Sequence, residues 1–178
     1  MKKNWFLILT LSLTLNATTL GQLISAYKER NYYDVCMKGT KIFDQIKRDE
    51  NLVTMYAFSC LHIDKIDRLA VPILILGKTP ASRKNRAYFS LILAQKNILV
   101  SALLDNTLFH NLSVPNTDYV LSRVFTLFFQ KKYKKTDNRY IMQDDLARYE
   151  LYTKRVGKSK WVFIKEIRKG KTYIHRYR

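Results

Sequence analysis

The chain has 178 residues, 47% of them hydrophobic, with five glycines, three prolines and a formal net charge of +18. That composition excludes a disordered chain and a loop-rich all-β protein, and it suffices for one real core or a core with a small appendage. The charge is uneven: residues 18–130 hold 14 basic and 9 acidic side chains, whereas residues 131–178 hold 16 and 5, a local net charge of 16 − 5 = +11. A basic end of this kind is drawn to polyanions, although lysine used only as a solubiliser gives the same excess.

Residues 1–17 read as a signal peptide. Lys2 and Lys3 form a positive start, Trp5 to Leu15 is an uncharged apolar run, and Leu15-Asn16-Ala17 places a small residue for cleavage after Ala17. The run is too short for a comfortable membrane span, which needs about 20 residues. The expected location is therefore periplasmic or secreted, in a bacterial envelope, with no span left after processing. An uncleaved segment would instead tether the protein to the inner membrane. In an oxidising compartment a lone pair of cysteines tends to bond, so Cys36 and Cys60 are a disulfide candidate if their helices are neighbours.

From Thr18 onwards apolar residues recur at helical spacing. Leu20, Leu23, Ile24 and Tyr27 form one stripe, and Val35, Cys36, Gly39, Ile42, Phe43 and Ile46 a second. Leu52, Tyr56, Ala57, Cys60 and Ile63 form a third, and Ile66, Leu69, Ala70, Ile73 and Leu76 a fourth in which Pro72 should kink the helix or delay its start. Thr79-Pro80 restarts a long helix over residues 81–104, residues 106–113 read as a loop, and Pro115 to Asp118 opens a further helix through Phe128. After Lys135 the period becomes two. Residues 139–143, 147–155, 160–168 and 171–177 read as strands, with Gly157 and Gly170 in turns, giving an antiparallel meander of three or four strands. The fold class is α+β: a signal peptide at 1–17, a helical body at 18–130, and a basic β module at 131–178.

Leu23, Ala26, Tyr27, Tyr33 and Cys36 fall where tetratricopeptide-like helical hairpins place large, small and aromatic residues, and Ala57 and Ala70 fill small positions in a second unit. The chain resembles that family over about residues 20–77; an irregular helical bundle accommodates the same stripes. The resemblance implies a noncatalytic scaffold or adaptor that holds envelope proteins in a helical groove, by analogy in a secretion or flagellar-motor assembly.

No nucleophile, metal, phosphate-loop or dinucleotide motif is present, so no catalytic residue, cofactor or metal is expected. His62, His110 and His175 are scattered, and Asp64 and Asp67 stand three apart, with helix capping the simpler role for Asp67. Aromatic and basic residues interleave near the C-terminus. Lys158, Lys160, Lys169, Lys171 and Trp161 are the candidates for binding an anionic glycan, lipid or wall polymer, or an acidic partner; export makes nucleic acid an unexpected ligand.

Overall fold

The computed structural model describes residues 18–109, 112 and 114–178. The expected signal peptide, with its cleavage point after Ala17, and His110 lie outside the described residues. The protein is α+β, with seven α-helices followed by a five-stranded antiparallel sheet among the described residues. It divides into two compact units, one ending at Ile63 and the other running Asp64–Arg178.

The first unit contains α1 (Thr18–Lys28), α2 (Tyr32–Lys41), α3 (Phe43–Ile46) and α4 (Glu50–His62). Asn31 caps α2 by accepting from the Asp34 amide, and the Asp49 carboxylate caps α4 by accepting from the amides of Asn51 and Leu52. Leu23, Ala26, Val35, Cys36, Ile46, Tyr56 and Cys60 form one buried cluster. The second stripe is broken where continuous helix was expected: α2 stops at Lys41 and Ile42 leaves helical geometry. Thr40 accounts for this, because its hydroxyl bonds back to the Cys36 carbonyl at 2.8 Å and lies 3.0 Å from the Tyr56 hydroxyl, which bends the helix end towards α4.

Helices α2 and α4 cross closely. Cys36 and Cys60 are bonded, with Cα atoms 4.8 Å apart. One turn further along, Gly39 lies against the Tyr56 ring, and a Cβ there would stand 2.7 Å from Tyr56 Cδ2. That ring is 4% exposed and is met edge-on by Phe43, so it has little room to move. Gly39→Ala should therefore destabilise the protein by about 1–2 kcal/mol, overpacking outweighing the gain in helix propensity. Urea denaturation reads this as a lower midpoint at unchanged slope; an equal or higher midpoint would contradict the close crossing.

The second unit opens with a 3-10 turn, Ile66–Leu69, that leads into α5 (Ala70–Ile75). Pro72 sits in the first turn of α5, where its missing N–H costs nothing, so it delays the helix as expected. Thr79 caps α6 (Pro80–Leu104) in a reciprocal box with Ser82. Helix α7 (Val120–Phe129) begins later than Pro115 to Asp118 suggested. The Ser122 hydroxyl instead accepts from the Thr117 amide and donates to Asn116, which holds that stretch in an extended approach.

Strands β1 (Lys134–Thr136), β2 (Arg139–Gln143), β3 (Arg148–Val156), β4 (Ser159–Arg168) and β5 (Lys171–Tyr177) pair in sequence order. One strand more than expected is present: β1 joins β2 through Asp137-Asn138. Helix α6 packs on β4, and α7 on β2 and β4. Met142, Tyr149, Leu151, Val162, Ile164 and Tyr177 are buried on that covered face. The compositional step near residue 130 thus falls inside the second unit, because α6 and α7 supply the apolar cover that the sheet requires. By length and composition α6 is also long and apolar enough to cross a membrane. Within its unit it is anchored by polar bonds: Lys96 Nζ to Asp67 at 2.7 Å and Gln95 Nε2 to the Pro115 carbonyl at 3.0 Å. Asp67 therefore neutralises a buried lysine, and the helix-capping role expected of it from sequence is not what it performs; Lys65 occupies the cap position.

Candidate functional site

Alternation along the strands sends the other half of the side chains to the face opposite α6 and α7, the open face within this unit. Register then assembles them into rows across the sheet. Arg139, Tyr152, Phe163 and Arg176 are consecutive cross-strand partners on β2, β3, β4 and β5. Two residues further along, Lys154 pairs with Trp161, and Arg178, just beyond β5, reaches the same ring. Each row places cations at both ends and aromatic rings between them. The open face carries seven cations (Lys134, Arg139, Arg148, Lys154, Lys165, Arg176, Arg178) against one acid, Glu150, so its net charge is 7 − 1 = +6.

The rings hold the guanidinium groups. Arg139 Cζ lies 4.5 Å from the centroid of Tyr152, whose ring stacks on Phe163 at 5.4 Å and 10°. The guanidinium carbons of Arg176 and Arg178 lie 5.6 and 5.3 Å from the Trp161 ring, and Arg178 also donates to Ser159 Oγ at 2.7 Å. Cation–π contacts of this kind fix a flexible side chain while leaving its N–H edge available. Glu150 bridges Arg139 at 2.6 Å and Lys165 at 3.1 Å. Partial burial pushes its carboxyl up, but Lys165 and Arg139 outweigh that and hold it below the usual range. Two hollows lie over β1, β2 and β3 and share Ile141 and Arg148: one of about 410 Å³ beside Lys132 and Lys134, and one of about 620 Å³ beside Arg139 and Lys154.

Of the residues expected from sequence to bind anions, Trp161 lies on this face between Lys154 and Arg178, towards the β3–β4 turn. The four lysines are split. Lys158 and Lys160 flank the β3–β4 turn, whereas Lys169 and Lys171 flank the β4–β5 turn at the other end of β4, which at ten residues spans about 30 Å. Lys160 and Lys171 also alternate onto the side opposite Trp161. The sequence reading missed Arg139, Lys154, Arg176 and Arg178. Their signal was present as i, i+2 spacing with aromatic residues within each strand, but only the register between strands joins them.

A second polar cluster lies inside the unit. Asp64 has a left-handed backbone (φ 58°) and stands outside any helix, so it shares no face with Asp67. Its Oδ1 accepts from the hydroxyls of Tyr119 (2.6 Å) and Tyr177 (3.1 Å), and its Oδ2 accepts from His175 Nδ1 (2.9 Å). The other nitrogen, Nε2, is buried 3.6 Å from Glu166 Oε2. Burial pushes the imidazole down, yet the bond and charge of Asp64, with Glu166 behind, leave it above its ordinary value. Burial, together with Asp64, pushes both tyrosines well up. Among the described residues no serine, threonine or cysteine is bonded to His175, and the Asp64 carboxylate clasps residue 64 to Tyr119 and to β5. Among the described residues no group of three or more His, Cys, Asp or Glu side chains is arranged to hold a metal ion.

No family model, curated protein or solved structure matches this chain. His62 stacks on Tyr32 at 4.1 Å, and burial lowers its pKa. A further part-buried ion pair secures a turn. Arg123 holds Asp144 at 2.7 Å, and Asp144 in turn accepts from the amides of Leu146 and Ala147, which fixes the β2–β3 turn against α7.

Proposed function

We propose that the protein is a noncatalytic interaction protein of the cell envelope, a scaffold or adaptor that meets an anionic partner through the open face of its sheet. The observation that carries this reading is the pair of cross-strand rows in which aromatic rings hold arginines at fixed positions on a face of net charge +6. The Cys36–Cys60 bridge supports an oxidising compartment and hence the periplasmic or secreted location read from residues 1–17. A protein partner on the helical unit is a second element of the same proposal. It is favoured by the exposed rings of Tyr33 (60%) and Tyr27 (37%), a residue type enriched at binding hot spots.

The reading predicts that the protein sediments with envelope material and is released by raising salt, since contacts between exposed charges are screened. The double variant Lys154→Glu/Arg176→Glu should appear in the soluble fraction already at physiological salt. Retention of that variant with the envelope, unchanged in its salt profile, would remove the sheet face from the proposal.

A further inference from the structure

We infer that the open face takes a linear acidic polysaccharide, which lies across the strands over the two cation rows and runs into the hollow beside Lys154. The inference rests on the proposed role of this face and adds the chemistry of its ligand.

The first argument is what the face leaves free. A nucleobase or a neutral sugar binds a sheet by stacking on bare rings. Here Tyr152 lies between the Arg139 guanidinium and the Phe163 ring, and Trp161 is met by Arg176 and Arg178. What the surface presents is N–H groups of held guanidinium ions, which suit the oxygens of carboxylates and acidic esters. The second argument is spacing. Arg176 and Arg178 stand two residues apart along one strand direction, about 7 Å, while the Lys154 and Arg178 columns are two strands apart, about 10 Å. A chain with a charge on every ring or every second ring meets cations at such intervals. The third is the lining of the larger hollow, where Thr136, Asn138 and Thr153 stand with Arg139, Arg148 and Lys154, three cations against the one carboxylate of Asp137. Hydroxyl and amide groups interspersed with cations fit a chain that is both acidic and rich in hydroxyls. A bilayer surface has no chain to place in a hollow, and a single-stranded nucleic acid finds its stacking positions taken.

The test is a titration of the full disulfide-bonded chain with an oligogalacturonate of about six charges. It is run against oligothymidylate and oligoglutamate of equal charge and against vesicles containing phosphatidylglycerol, all at one ionic strength. The oligogalacturonate is expected to bind most tightly. Lys154→Glu/Arg176→Glu should weaken it by about tenfold or more, whereas Lys169→Glu/Lys171→Glu, the same charge change at the far end of the sheet, should weaken it far less. Unchanged melting of both variants keeps folding out of the comparison. Tighter binding of oligothymidylate, oligoglutamate or vesicles, lost in the Lys154/Arg176 variant, would overturn the polysaccharide but leave the face as the contact surface. Equal weakening by the two double variants, or no binding of any probe, would overturn both.

Discussion

Replacing Asp64 by alanine is expected to destabilise the second unit by about 3–5 kcal/mol, the range for removing one partner of a buried charge pair. The loss is large because one carboxylate serves three donors. Without it the Tyr119 and Tyr177 hydroxyls and His175 Nδ1 each lose this acceptor in the interior. The variant should also change how stability responds to pH. The groups facing His175 are Asp64, Glu166, Tyr119 and Tyr177, with Arg168 Nε 3.6 Å from Glu166. Since His175 titrates above 6.5 in the folded protein, its contribution is complete below that value and fades as pH rises through the raised folded one. The gap between wild type and Asp64→Ala should therefore be wider at acid than at mildly alkaline pH. The tyrosines act at the other end of the scale: raised in the fold, they favour the folded state up to about pH 10, and that support is lost as the unfolded phenols begin to ionise. Denaturant titrations of both proteins across the pH range measure this. A gap below about 1 kcal/mol, or one that widens with pH, would show that the clasp contributes little.

Loss of the Cys36–Cys60 bridge is the second large effect. Closing a loop of 24 residues removes enough freedom from the unfolded chain to stabilise the fold by about 3 kcal/mol. A unit this short has only a small core of its own, so the bridge is a major share of its stability. Cys36→Ser/Cys60→Ser, or a reductant, should loosen α1 to α4 while the sheet keeps its protection. Hydrogen exchange resolves the two outcomes. Protection lost evenly from helices and strands would mean that the two units do not unfold independently.

Much of the fold was legible because local rules governed it. Thr79-Pro80 announced α6, Pro72 announced the delayed α5, and alternation in Trp161-Val162-Phe163-Ile164 assigned those residues to opposite faces of β4. The cysteine pairing followed from helical stripes and compartment. The misses share a physical cause: each depended on a partner distant in sequence. Ile42 breaks its helix because Thr40 reaches the Tyr56 hydroxyl, 16 residues on. Asp67 looked like a cap because Lys96 was not in view, and β1 is recognisable as a strand only beside Ile141 and Tyr140. The binding face was half visible for the same reason. Basic and aromatic residues could be counted, but their division into two ends and two faces requires register. Lysines drew the reading to the turns, whereas the rings hold arginines along the strands.

Asp64 opens the second unit, and two of its three partners, His175 and Tyr177, lie on β5, the last strand of its sheet. A polypeptide emerging from its N-terminus must therefore deliver all five strands before the clasp can close. The α1–α4 segment has its own core and its own bridge and can form while the rest is still being delivered. The sheet unit must wait, held open and threadable until the final strand is released. In that sense β5 acts as a latch on its unit: until that strand is paired, Asp64 lacks the His175 and Tyr177 donors.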